Sequence, residues 1–334
     1  MMVGTIVDEL LESDEPSIRW MVRTRVLGEP DDAPDIRALR EEVRRSPRVQ
    51  TMLSGLRNAR PSTYAKWQGA HWVLVALAEL GYPAGDRSLQ PEADEVLDTW
   101  LSPSAYQEFA ARTKAAAYGR DGIPVIDGRP RTHASQQGNA LFSLTRLELI
   151  DDARAQALAE RLLHWQWPDG GWNCDKRPEA TMSSIFETVT PVRGLAAHAA
   201  RRGDERARQG AARAAEVLLE RRIVFRRSSG ALIHPELALL HYPLYWHYDV
   251  LGGLKAIADV GLIGDPRCAD ALDLLEAKRR PGGGWPAQRR YWRRASAEVA
   301  LYNEYVDWGG VAKSRPNPWI TADALYVLRC AGRL

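Results

Sequence analysis

Residues able to do chemistry gather in two places. His234, His241 and His247 follow closely on one another, with Tyr242, Tyr245, Trp246 and Tyr248 between them. His241 and Tyr245 stand four residues apart, as do Tyr245 and Asp249. On a helix, an imidazole, a phenol and a carboxylate would then share one face. Such a group moves protons when burial tunes it, so His247, Asp249 and Tyr245 are catalytic candidates, with His241 and Trp246 as ligand contacts. The same residues serve equally to satisfy polar groups around a cavity. The second place opens at His133 and runs through Ser135, Gln136, Gln137 and Asn139. His133 joins the catalytic candidates and Gln136 the ligand contacts. Cys174 and Asp175 follow a tight turn and precede a helix that carries Glu187. A helix N-terminus beside Arg129, Arg131, Lys176 and Arg177 favours an anion.

The elements that must position these residues are helices of two kinds in alternation. Tyr64–Leu80, His133–Leu149, Ser184–Ala200, Trp246–Val260 and Ile320–Ala331 are apolar or weakly charged, as expected of helices buried on more than one side. Pro91–Leu101, Asp152–His164, Glu205–Arg221 and Pro266–Arg279 are charged partners. Strict alternation of buried and exposed helices describes two concentric layers or a stacked solenoid. Residues 1–60 read as a helical extension, with helices at Val3–Glu12, from Asp14 to Val26 and over Asp35–Arg57, packed as one unit with 61–334. Two irregular stretches, 115–131 and 287–318, interrupt the pattern. The second has the length of a lid or binding loop.

A turn repeats along the chain. Gln166-Trp167-Pro168-Asp169-Gly170-Gly171-Trp172 recurs as Arg280-Pro281-Gly282-Gly283-Gly284-Trp285, with a degenerate copy at Phe225–Gly230. The repeat unit is about 55 residues. Gln166–Trp172 resembles the Gln-and-Trp turn of squalene and other triterpene cyclases, and protein prenyltransferases carry related Gly-rich turns. The resemblance implies an all-α fold, an α/α-toroid (α/α-barrel) of alternating inner and outer helices around a cavity. It implies an isoprenoid or other hydrophobic ligand, such as a prenyl diphosphate, held by aromatic walls from Trp67, Trp72, Tyr245, Trp246 and Trp319. It also suggests zinc on Cys174, Asp175 and His247, although the family spaces its Asp and Cys differently. The Asp-x-Asp-Asp acid string of squalene-type cyclases is missing. Asp31-Asp32-Ala33-Pro34-Asp35 matches the metal-binding string of class I terpene synthases, yet Pro34 makes it an acidic helix start instead. A helical-repeat binding scaffold and a polysaccharide-active toroid, the latter using Asp249, Glu187 and Asp323, remain open alternatives.

Composition sets the outer bounds. The chain has 334 residues, 45% hydrophobic and 26% charged, with a net charge of +2, so nothing calls for nucleic acid. Trp (12) and Tyr (11) outnumber Phe (4), a bias toward rings with a polar handle. The three cysteines are too few and too scattered for a disulfide framework. The N-terminus is acidic and no long apolar run occurs, so the expectation is a cytoplasmic protein without a membrane span.

Overall fold

The structure is a computed structural model and describes residues 3–312 and 314–334. Among them the chain is mostly helical, with fifteen α-helices and one small sheet. The N-terminal part holds α1 (Val3–Leu11), α2 (Pro16–Trp20) running into a π-helical turn (Met21–Val26), α3 (Pro34–Arg45) and α4 (Pro47–Ala59). Next come α5 (Ala70–Leu80), α6 (Gln90–Leu101), α7 (Pro103–Tyr106) and α8 (Lys114–Ala117). The remainder is α9 (Ala134–Arg146), α10 (Asp152–His164), α11 (Ile185–Arg202), α12 (Glu205–Leu219), α13 (Val250–Asp259), α14 (Ala269–Glu276) and α15 (Pro318–Cys330). No helix among the described residues is long and apolar enough to cross a membrane.

Burial follows the alternation in the sequence. α5, α9, α11, α13 and α15 bury most of their residues, whereas α10 and α14 bury one face. The buried helices pack in chain order: α5 on α9, α9 on α11, α11 on α13, and α13 on α15. α15 then packs on α2 and the π-helical turn, and α2 touches α5. Ile18, Trp20, Met21 and Val22 are buried there in the main hydrophobic core, so the 1–60 segment shares one core with 61–334. The N-terminal ends of the buried helices meet at one end of the molecule, the mouth, through contacts such as Ser135 to Glu187. Deeper along these helices Glu79, Arg193, Lys255 and Asp323 join.

Several boundaries differ from the sequence expectation, among them the start of α5 at Ala70 rather than Tyr64, and three differences have a local reason. Asp35–Arg57 is two helices, because Ser46 caps α4, its hydroxyl accepting from Val49 N–H at 3.3 Å, and Pro47 opens it. α13 starts at Val250 rather than Trp246, because Asp249 is its N-cap. The irregular stretch before His133 contributes two strands of a sheet: β1 (Glu108–Ala110), ahead of that stretch, lies parallel to β2 (Ile123–Ile126), which pairs antiparallel with β3 (Arg129–Pro130). Asp127-Gly128, both at positive φ, turns that hairpin, the pairing that two-residue turns favour.

The repeated turn works as a clamp. Gln166 Nε2 donates to Gly170 O at 2.7 Å and to Gly210 O of α12 at 2.8 Å, tying the end of α10 to the next exposed helix. Trp172 Nε1 donates back to Leu162 O at 2.9 Å, and in the second copy Trp285 Nε1 donates to Leu275 O at 2.7 Å. Asp169 accepts from both the N–H and the hydroxyl of Ser183, at 2.7 and 2.6 Å, and so fixes where α11 begins.

The closest helix contact is α9 on α11. A Cβ added to Gly138 would lie 2.5 Å from Pro191 N, and one on Gly194 would lie 2.5 Å from Gly138 O. Backbone meets backbone there, and neither side can yield as a flexible side chain would. Gly138→Ala should therefore cost about 1–3 kcal/mol through overpacking. Urea unfolding checks this, and a loss below roughly 0.5 kcal/mol, the size of an ordinary surface change, would contradict it.

Candidate functional site

The close approach of α9 and α11 sets their N-terminal ends side by side at the mouth. His133 is the residue just ahead of α9, and Glu187 lies in the first turn of α11. His133 Nδ1 and Glu187 Oε1 are 3.4 Å apart, and Ser135 N–H donates to Glu187 Oε2 at 3.0 Å. Cys174 reaches them from the loop held by the Trp172 clamp. Donor atoms of His133, Cys174 and Glu187 all lie within 4.8 Å of one another, the one such group among the described residues. Burial, helped by the Glu187 carboxylate, pushes the Cys174 thiol well up. Glu187 is buried, yet its hydrogen bonds to His133, Ser135 and Cys174 hold its carboxyl below the usual range.

The zinc set suggested by resemblance is thereby corrected in two of its three members. Asp175 turns away to Arg177, Nη2 to Oδ2 at 2.6 Å, because the adjacent side chains of Cys174 and Asp175 leave the backbone in different directions. His247 stacks between Tyr291, at 3.4 Å between centroids, and Trp246, at 4.1 Å. Burial, then the neighbouring His241, hold its imidazole neutral with a pKa lowered to about 2. The four-residue anion set does not assemble either. Arg177 is spent on Asp175, and Lys176 Nζ donates to Ala117 O at 3.0 Å. Arg129 and Arg131 stay together over the Trp167 ring, at 5.8 and 4.6 Å.

The shared helical face of His241, Tyr245 and Asp249 does not exist, since that stretch is non-helical up to Val250 and Tyr245 has positive φ. His241 and Asp249 meet by a different route: His241 Nδ1 to Asp249 Oδ2 is 2.8 Å, with both side chains buried. The same carboxylate accepts from His241 N–H at 3.0 Å and Gly252 N–H at 2.8 Å. Asp249 is thus a capping and anchoring residue with its oxygens fully engaged, not a group aimed into a cavity.

Aromatic rings form the next layer inward. Trp67 stacks on Tyr245 at 3.8 Å, Trp72 meets Trp67 edge-on at 4.8 Å, and Tyr64 meets Trp72 at 5.1 Å. Burial, and then the Glu187 charge against the help of Gln136, raise the Tyr64 phenol to about 12. Phe186 and Trp246 close the other side at 6.2 Å, and Lys66 Nζ lies 5.1 Å over Trp246. Trp319 is not part of this wall. It stacks on Tyr242 at 5.3 Å and packs edge-on against Trp308.

Beneath the rings lies a cavity of about 50 Å³, lined by Trp72, Asn139, Thr190, Tyr245, His247 and Trp308 above a charged floor. In that floor Lys255 Nζ contacts Glu79 at 3.0 Å and Asp323 at 2.8 Å, and Arg193 bridges Glu79 and Asp259 at 2.6 Å each. Arg25 adds longer contacts to Glu79 and Asp323. Sequence reasoning missed this floor, although a signal exists. Glu79 is the one acidic residue of the apolar α5, near its C-terminal end, and Lys255 is the one basic residue of the apolar α13. Glu304 was also missed, and nothing in its irregular segment marks it. Tyr245 Oη donates to its Oε2 at 2.6 Å, Trp308 Nε1 at 3.1 Å, and Tyr305 N–H to its Oε1 at 2.7 Å. Burial nevertheless raises this carboxyl to about 7.

Two outcomes follow. Asp249→Ala leaves a buried imidazole and a helix start unpaired, and should cost about 3–5 kcal/mol in chemical denaturation. Glu304 has a folded pKa above the ordinary 4.5, so the stability it contributes is full below that value and is lost as pH rises through about 7. Between about pH 5 and about pH 8, the native chain should lose roughly 2–3 kcal/mol relative to Glu304→Gln. Parallel pH dependences for the two proteins would refute this. No protein-family model matches the chain and no curated protein does either, so the reading of its function rests on the geometry of the mouth.

Proposed function

We propose that this chain is a metal-dependent enzyme on an α/α-toroid, similar in kind to protein prenyltransferases and terpenoid cyclases. In this reading it holds zinc at His133, Cys174 and Glu187 and takes an isoprenoid or other apolar ligand at the aromatic mouth. The observation that carries it is the convergence of imidazole, thiol and carboxylate from three separate segments to within 4.8 Å. Zinc accepts all three donor types, and catalytic zinc sites keep three protein ligands and one open position. His133 is largely exposed and Glu187 buried, so an open position would face the mouth. A metal bound there would supply a Lewis acid. It would also reverse the unfavourable pairing of a thiol with a carboxylate, since a cation is what makes a coordinating thiol deprotonate.

The chain's own residues then divide the remaining work. Tyr64, Phe186 and Trp246 offer ring faces to the apolar part of a ligand, and Ser135 N–H fixes Glu187. Arg129 and Arg131 supply positive charge near the loop that carries Cys174, through the pairing of Arg131 with Asn173. The interior cavity is far below the roughly 300 Å³ of an ordinary ligand site, so the ligand belongs at the mouth and not in the interior.

Metal analysis of the purified chain should find zinc at about one per chain, and Cys174→Ser or Glu187→Gln should weaken its retention by about tenfold or more. Incubation with a panel of prenyl diphosphates, followed by mass spectrometry, should show binding or conversion that depends on the metal. A chain that neither carries zinc nor takes it up on titration leaves the helical-repeat scaffold as the better reading.

A further inference from the structure

We propose that residues 293–304 form a loop latched onto the wall of the mouth by Glu304, and that the loop lets go when the Glu304 carboxyl is charged. The loop starts after buried Trp292 and ends before buried Tyr305, so both its ends are anchored. Its two limbs close on each other. Arg293 N–H donates to Tyr302 O at 2.8 Å, Ser296 N–H to Glu304 O at 2.7 Å, and Glu304 N–H to Arg294 O at 3.0 Å. A surface loop of this length with its ends held close is an Ω-loop.

Polar contacts dock this loop on residues 66–68. Tyr302 N–H donates to Lys66 O, and Trp67 N–H to Asn303 O, both at 3.0 Å. Gln68 Nε2 donates to Ser296 O at 2.9 Å and to Glu298 O at 3.1 Å. Most side chains from Arg293 to Leu301 are exposed, Val299 and Leu301 among them. A segment held by hydrogen bonds, with little apolar burial of its own, belongs to the low-stability end of a fold. Glu304 is the exception, because its carboxylate is buried and accepts from Tyr245 and Trp308. The Tyr245 ring stacks on Trp67. The loop therefore grips Trp67 twice, directly through its backbone and again, through Glu304, by the ring stacked on it.

The surroundings of Glu304 do little to offset a charge there. Facing it are the phenols of Tyr245 and Tyr305, the Trp308 indole and, from α4, Arg48. Tyr242 and, from α15, Trp319 lie beyond Trp308, at 5.4 and 5.3 Å between centroids. Arg48 is the one cation among these groups, and it is spent on Glu15 and on Asp307 O, both at 2.7 Å. Arg294 pairs with Glu298 at the exposed tip. Burial therefore outweighs the hydrogen bonds and holds the carboxyl at about 7, above its ordinary 4.5. An open loop would return it to water and to that ordinary value. The grip is thus full below about pH 4.5 and is lost as pH rises through about 7. Lys66 lies over Trp246, so release of the loop frees one wall of the mouth. The latch stands without the zinc reading.

Hydrogen exchange of the native chain beside Glu304→Gln, read by mass spectrometry at pH 5 and pH 8, tests the latch. Comparison at equal pH cancels the intrinsic pH dependence of exchange. Over residues 293–304 the native-to-variant ratio of exchange rates should rise by about tenfold or more between the two pH values. Peptides of α9 should exchange more slowly than the loop at both, as expected of a loop that opens by itself. Tyr245→Phe removes one donor to the charged carboxylate. It should move the midpoint of the loop's pH dependence upward, with circular dichroism unchanged. A ratio that does not change with pH overturns the proposal, because Glu304 would not be the latch. Loop and α9 exchanging together overturns it as well, since no separate opening would then exist. A midpoint that stays in place or falls in Tyr245→Phe counts equally against it.

Discussion

The backbone contact between α9 and α11 is the constraint from which the mouth is built. Helix axes normally stand 8–10 Å apart because side chains separate them. Gly138 and Gly194 remove that spacer, so the two helices approach until Gly138 meets Pro191 and Gly194 meets the Gly138 carbonyl. Thr190 Oγ1 donates to Ser135 O at 2.9 Å just above, which fixes the register of one helix on the other. Only at this separation does the first turn of α11 bring Glu187 to His133 and to the Ser135 N–H. The Trp172 clamp supplies the third member by fixing the loop of Cys174.

The opposite requirement governs the deeper part of the molecule. Between the buried helices, aromatic rings lie nearer the mouth and paired charges lie deeper. An ion pair gains little over apolar packing of equal volume, while a single unpaired member is costly. The floor is therefore a set of mutual obligations. Glu79 touches Arg25, Arg193 and Lys255, and Asp323 touches Arg25 and Lys255, so four buried helices and the π-helical turn are locked in one register. Arg25 comes from the π-helical turn, which makes the N-terminal segment part of this lock as well as part of the hydrophobic core.

The mouth and the floor differ in the state of their polar groups. Floor charges have partners of opposite sign within 3.4 Å, which suits a structural role. At the mouth, an imidazole, a thiol and a carboxylate share a small space with one of them exposed to solvent. Groups that could act on a ligand thus sit where a ligand can arrive, and groups that lock the fold sit where it cannot.

The sequence by itself determined the helical class, the alternation of buried and exposed helices and the structural role of the Gln166–Trp172 turn. These follow from local physics: apolar periodicity, capping residues and the conformations that glycine permits. His133, Cys174 and Glu187 were each legible as polar residues beside the start of a buried helix, but their grouping was not, because it depends on distances between residues far apart in the chain. Cys174 was paired in expectation with its neighbour Asp175, whereas adjacent side chains diverge and a partner on another helix can converge. His241 and Asp249 were expected on one helical face and instead join across a non-helical segment, because Asp249 stops the helix by capping it. Glu304 carries no local signal at all. Only tertiary packing decides which carboxyl is stripped of water, since that depends on what the rest of the chain places around it.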